Sequence, residues 1–81
     1  MTDFEKTEQI HNAFKKTMNH YVCLQKEEMF LEYDKQHDII TIRWHVFMDR
    51  YINMKKVFNI ARFLRRYTDV PIYSSFGKLN I

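Results

Sequence analysis

The 81-residue chain predicts an α+β fold: a small two-layer domain of helix, β-hairpin and helix, with a short C-terminal edge strand. Three observations carry this expectation. Apolar residues recur at three- and four-residue spacing before residue 21 and again after residue 50, and between them two runs alternate strictly. The only Pro and the only Gly, Pro71 and Gly77, lie near the end, so residues 3–69 read as continuous structured chain. At this length one domain is expected, spanning 1–81, with a thin core.

The first helix is predicted over 3–21. Thr2 followed by Glu5 forms a capping box. Behind it Ile10, Ala13, Phe14, Thr17, Met18 and Tyr21 fall on one stripe. The hairpin is predicted over 28–34 and 39–47. Met29, Leu31 and Tyr33 alternate with Glu28, Phe30, Glu32 and Asp34, and Ile40, Ile42, Trp44 and Val46 alternate with Ile39, Thr41, Arg43, His45 and Phe47. With the KQHD stretch, 35–38, as a four-residue loop, Asp34 faces Ile39. Tyr33 then meets Ile40, Leu31 meets Ile42 and Met29 meets Trp44, so inward residues pair only with inward residues. On the other face Glu28 meets His45, Phe30 meets Arg43 and Glu32 meets Thr41.

Asp49 is the expected cap of a second helix over 50–67. Its inner stripe is Met54, Val57, Ile60, Ala61, Leu64 and Tyr67, an arc of roughly 140°. Pro71 biases Val70 away from helix, so the tail, 70–81, begins with a stop. A short strand within VPIYSSF would sit at an edge, where Pro is tolerated. Neither helix nor hairpin buries its apolar face alone, and helices packed on one sheet face solve that.

The composition bounds the function. Phe, Tyr, Met, Ile, Asn and Lys supply 38 residues, whereas Gly, Ala, Arg and Pro supply 9. The genetic code makes that the signature of an AT-rich gene, such as that of a low-GC bacterium, a phage or a mobile element. The single Cys23 forms no intrachain disulfide and suits a reducing, cytoplasmic setting. The acidic start MTDFEKTEQ is unlike a secretory signal, and no apolar run reaches the length of a membrane span.

The net charge of +3 is unevenly spread. Residues 1–40 carry five Lys against eight Asp and Glu, for −3, and residues 41–81 carry eight Lys and Arg against two Asp, for +6. This asymmetry favours an acidic protein partner, a nucleic acid or self-association.

Catalytic patterns are missing. One Gly allows neither a phosphate-binding loop nor a dinucleotide fingerprint, and no HExxH, CxxC or GxSxG occurs. His20 and Cys23 are a loose thiol–base spacing without a third group, for which a buried Cys is the simpler reading. Asp34, His37 and Asp38 share one loop but match no calcium-loop pattern. Glu28 across from His45 is an exposed acid–imidazole pair of small energetic consequence. No enzyme, cofactor or metal is expected.

Surfaces remain. On the outer side of the second helix Lys55, Asn59, Arg62 and Arg66 fall within about 60°. Arg65, Lys56, Phe58 and Phe63 flank them. Guanidinium forks suit carboxylates or phosphates, and neighbouring rings add hot-spot area. The bland alternative is a solvated helix face whose late cations meet the negative helix end. A second interface is expected on the outer hairpin face, from Phe30, Ile39, Arg43, His45 and Phe47. Left uncovered, it predicts a partner or a homodimer; a tail folded across it removes that prediction.

The sequence thus points to a small non-enzymatic intracellular protein-binding module with no membrane association. A phage- or mobile-element-encoded inhibitor or regulator fits its size and composition. The alternatives are a nucleic-acid-binding regulator using the basic ridge, and a structural subunit of a larger assembly.

Overall fold

The computed structural model describes residues 2–44 and 50–81. Helix α1 (Asp3–His20) starts where Thr2 Oγ1 accepts the Glu5 amide at 3.2 Å, the first half of the predicted capping box. It buries Ile10, Ala13 and Thr17, and the Thr17 hydroxyl is satisfied by donating to the Ala13 carbonyl at 2.7 Å. Met18, expected in the buried stripe, is instead exposed, because the packed arc centres on Ile10 and Thr17 and leaves Met18 beyond its border. Tyr21 has extended backbone and ends the helix. A single further turn, α2 (Val22–Gln25), was not legible as a helix; it sends Leu24 into the core.

Strands β1 (Met29–Asp34) and β2 (Ile39–Trp44) form the predicted antiparallel hairpin, in the predicted register from Asp34–Ile39 to Met29–Trp44. His45, Val46, Phe47 and Asp49 lie outside the described residues, and with them the Glu28–His45 pair, the last residues of the expected strand and the expected cap of the second helix. The loop is tied by its own carboxylates. Asp38 stands at φ 55, accepts the Tyr33 hydroxyl at 2.7 Å and pairs with Lys6 of α1. Asp34 accepts the His37 amide and lies 2.7 Å from its Nδ1.

These contacts set an acid-sensitive element. Bonds from Lys6 and Tyr33 hold Asp38 below its ordinary carboxylate pKa, and bonds from His37 do the same for Asp34. Their contribution to stability is therefore complete above the ordinary carboxylate value and is lost as pH falls through the folded-state pKa. The bond to Asp38 pushes the Tyr33 phenol up to about 12, so its contribution is complete below 10 and lost as pH rises toward 12. Asp38→Asn keeps a residue type that tolerates positive φ but removes the charge. Urea titrations across pH 2–7 should show a shallower acid limb for the variant; an unchanged limb would place the acid sensitivity elsewhere.

Helix α3 (Arg50–Leu64) carries the predicted core stripe of Val57, Ile60, Ala61 and Leu64, all fully buried. It ends at Leu64 rather than Tyr67, and residues 65–67 form a turn. Met54 is only half-buried, and Asn53 occupies the core line in its place. Arg65 fixes the helix exit, its guanidinium donating from one nitrogen to the Thr68 and Val70 carbonyls at 3.1 and 3.0 Å.

The tail does more than add an edge. β3 (Ile72–Ser74) pairs in parallel with β2, placing Ile72 beside Ile40, and β4 (Gly77–Lys78) returns antiparallel to it. The order is β1-β2-β3-β4, so β3 is interior, contrary to the edge position expected from Pro71. Pro71 is compatible because it directly precedes the strand, where its carbonyl accepts the Ile40 amide at 2.9 Å and no ladder donor is demanded of its nitrogen. The parallel pair requires a crossover, which α3 supplies. Gly77, at φ 96, takes the left-handed conformation that closes the β3–β4 turn.

One core joins the helices to the inner sheet face: Ile10 and Ala13 of α1, Leu24 of α2, the α3 stripe, and Met29, Ile40, Ile42 and Ile72 of the sheet, closed by Val70 and Leu79. The architecture is the predicted mixed α+β, two-layer arrangement with a four-stranded sheet.

Candidate binding surface on helix α3

The outer side of α3 follows from its periodicity. With Val57, Ile60 and Leu64 turned inward, Lys55, Asn59 and Arg62 must point away, Arg66 continues their line in the turn after the helix, and all four are exposed. Lys55, Arg62 and Arg66 form no ion pair among the described residues. The bridges that do form involve Lys6–Asp38, His37–Asp34, Arg43–Glu32 and Lys56–Glu28. Among the described residues the ridge is therefore a row of positive charge with no carboxylate paired to it.

The ridge borders differ. On one side Phe58 is half-buried and packs against the core, and Arg65 is committed to the backbone carbonyls that end the helix. On the other, α1 runs antiparallel to α3 and an aromatic seam joins them. The His20 ring stacks on Phe63 at 4.5 Å and 17°, Tyr21 meets the same ring edge-on at 5.7 Å, and Tyr67 lies 5.5 Å from it. Tyr21 donates its hydroxyl to the Asn59 carbonyl at 3.0 Å. Burial raises its phenol pKa, against the opposing pull of the Arg66 charge. Two cations cover the rings: Arg66 over Phe63 at 5.3 Å and Lys16 over Tyr67 at 4.7 Å.

At its N-terminal end the ridge gains two exposed apolar residues, Tyr51 at 80% and Ile52 at 54%. Sequence reasoning began the ridge at Lys55 and missed them, although the same helical wheel places them on its flanks. Lys16, His20 and Tyr67 were also missed as members of this surface. Only the antiparallel packing of α1 on α3 brings them there, and no local pattern encodes it.

The outer hairpin face, the second expected surface, is described only in part. Phe30 remains exposed at 38%. Arg43 Nε pairs with Glu32 at 3.1 Å, and Ile39 is half-buried. His45 and Phe47 lie outside the described residues. The tail joins the sheet through β3 and β4 and adds Tyr73 and Lys78 to this outer face. A cleft of about 430 Å³ opens where β3 ends beside β2, lined by Thr41, Ile42, Arg43, Trp44, Ser74 and Ser75.

The thiol–base and loop-metal spacings lead elsewhere. His20 is turned onto Phe63 and Tyr21, whereas Cys23 is half-buried and lines a cleft of about 420 Å³ with Lys56 and Glu28. Burial pushes its thiol pKa up, which keeps it protonated and a poor nucleophile. Asp34 and Asp38 have separate partners, and among the described residues no group of three His, Cys, Asp or Glu converges on one point. Among those same residues no helix is long and apolar enough to cross a membrane.

Fold and surface together define a small mixed α+β domain with an open basic helix face. Compared with protein-family models, curated proteins and solved structures, the chain matches none.

Proposed function

We propose that this protein is a non-enzymatic binding module that occupies an acidic surface of a partner protein through the outer face of α3. The observation that carries the reading is the line of Lys55, Arg62 and Arg66, exposed and without an acidic partner among the described residues, beside exposed Tyr51 and Ile52. Cations next to solvent-facing apolar side chains are the makings of an interface hot spot. Occupying a partner's surface makes a cytoplasmic inhibitor or regulator the natural role, and the composition favours a phage or mobile-element source. The outer sheet face around Phe30 is the reserve surface, suited to a second copy of the chain.

A nucleic-acid partner is the second reading, favoured by the Arg66–Phe63 and Lys16–Tyr67 contacts. Lys16, Lys55, Arg62 and Arg66 are few beside the roughly six to ten phosphate contacts that give duplex binders their affinity and salt dependence. The negative first half of the chain opposes it further.

The two readings separate in one capture experiment from host lysate, with immobilised wild type beside an Arg62→Glu/Arg66→Glu variant and with or without nuclease. The expected result is a protein retained by wild type, insensitive to nuclease and lost from the variant. Capture that disappears with nuclease, or that the variant leaves unchanged, would overturn the proposal.

A further inference from the structure

The partner's chemistry and shape are both constrained by the seam. Lys55, Asn59, Arg62 and Arg66 follow one another at intervals of four, three and four residues, all of them exposed. This is the spacing of the contact positions of a coiled coil. Here the seam holds donors instead of apolar knobs, and the apolar groups stand beside it as Tyr51 on one side and Phe63 on the other. Resting on the reading of α3 as a protein-binding face, we infer that its occupant is an amphipathic acidic α-helix, with carboxylates at alternating three- and four-residue spacing and apolar residues beside them.

Charge selects carboxylates, and distance selects the helix. From Lys55 to Arg62, within α3, the seam rises roughly 10–11 Å over two steps. Same-face residues of an extended strand would cover roughly 13 Å in two steps. The mismatch of about 3 Å is the length of a hydrogen bond, so a strand loses its register with the donors before the last pair. A second helix carries carboxylates at the same rise per step and keeps every pair in reach. Phe63 adds preorganisation: its ring carries Arg66 on its face, which limits the guanidinium's freedom before the partner arrives. The outer sheet face offers no comparable row, because Arg43 is already held by Glu32 and Glu32 adds negative charge.

Two synthetic peptides of about twenty residues and identical composition test this on the whole chain. In one, Glu recurs at three- and four-residue spacing on a helical seam flanked by Leu and Ala; in the other, the same residues are reordered so that Glu recurs at every second position. Single-stranded and duplex DNA of matched charge serve as further probes. Binding is read by fluorescence anisotropy and by amide chemical shifts. The seam peptide should bind about tenfold tighter than the reordered one, weaken with salt, and shift amides of residues 51–66. Arg62→Glu/Arg66→Glu should remove that preference while leaving the circular dichroism unchanged, since both side chains are exposed. Equal binding of the two peptides at α3 overturns the helical partner and leaves the protein-binding reading standing. DNA binding at α3 with neither peptide bound, or no binding by any probe, overturns both.

Discussion

Replacing Ile60 with Ala lowers the unfolding free energy by about 3–4 kcal/mol, the middle of the range for removing a buried aliphatic side chain. The position justifies that figure. Ile60 is fully buried at the centre of the α3 stripe, between Val57 and Leu64, where helix, sheet and α1 share one core. The truncation loses the transfer free energy of three carbons and leaves a cavity that flanking elements cannot close without moving. An 81-residue chain has a total stability of only about 4–12 kcal/mol, so the loss is a large fraction of the whole. Asn59→Ala is the matched control: the residue is exposed and the hydrogen bond to Tyr21 uses its backbone carbonyl, so a change within about 0.5 kcal/mol is expected. Urea denaturation of both variants checks this. Equal midpoint shifts would mean that the inward face of α3 is misassigned.

A second substitution should act in the opposite direction. Asn53 is fully buried on the same line as Val57, Ile60 and Leu64, and neither its amide nitrogen nor its oxygen has a partner among the described residues. A buried unpaired amide forfeits its hydrogen bonds to water and gains none, a cost of about 1–3 kcal/mol. Asn53→Leu keeps the approximate shape and removes the unsatisfied groups, so a gain of about 1–2 kcal/mol is expected. Asn53→Ala removes the same groups but opens a void and should gain less. Thermal and urea unfolding distinguish these outcomes. A loss of more than about 1 kcal/mol for the Leu variant would show that the amide is satisfied after all.

Much of this architecture was legible in the chain because burial imposes period. The hairpin register followed from the requirement that Tyr33, Leu31 and Met29 meet Ile40, Ile42 and Trp44, since a one-residue slip would send all of them to the other face. The α3 stripe was legible for the same reason, and with it the direction of Lys55, Arg62 and Arg66. Features set by tertiary pairing were not. Three residues, Ile72–Ser74, carry no local signal that would say which strand they join, so their insertion beside β2 was invisible. The missing donor of Pro71 points to an edge, but a position just before the strand meets the same constraint, and Pro71 occupies it. Asn53 defeated the pattern from the other side: polarity argued for solvent, and packing overrode it. Arg65 looked like a member of the basic ridge, but its role depends on where the chain turns after Leu64. The His20–Phe63 stack needs α1 laid antiparallel on α3, which neither helix announces.

The interior placement of β3 also has a consequence for the unfolded chain's route to this sheet. β1 and β2 are joined by a short loop and can find each other locally, whereas β2 and β3 meet only across the length of α3. Until Ile72 arrives beside Ile40, the hairpin keeps a second raw edge on β2, next to the apolar row of Ile40 and Ile42. An edge of that kind is a template for pairing with another chain. Slower docking of the crossover helix is therefore expected to lengthen the time for which the β2 edge is open to misassembly.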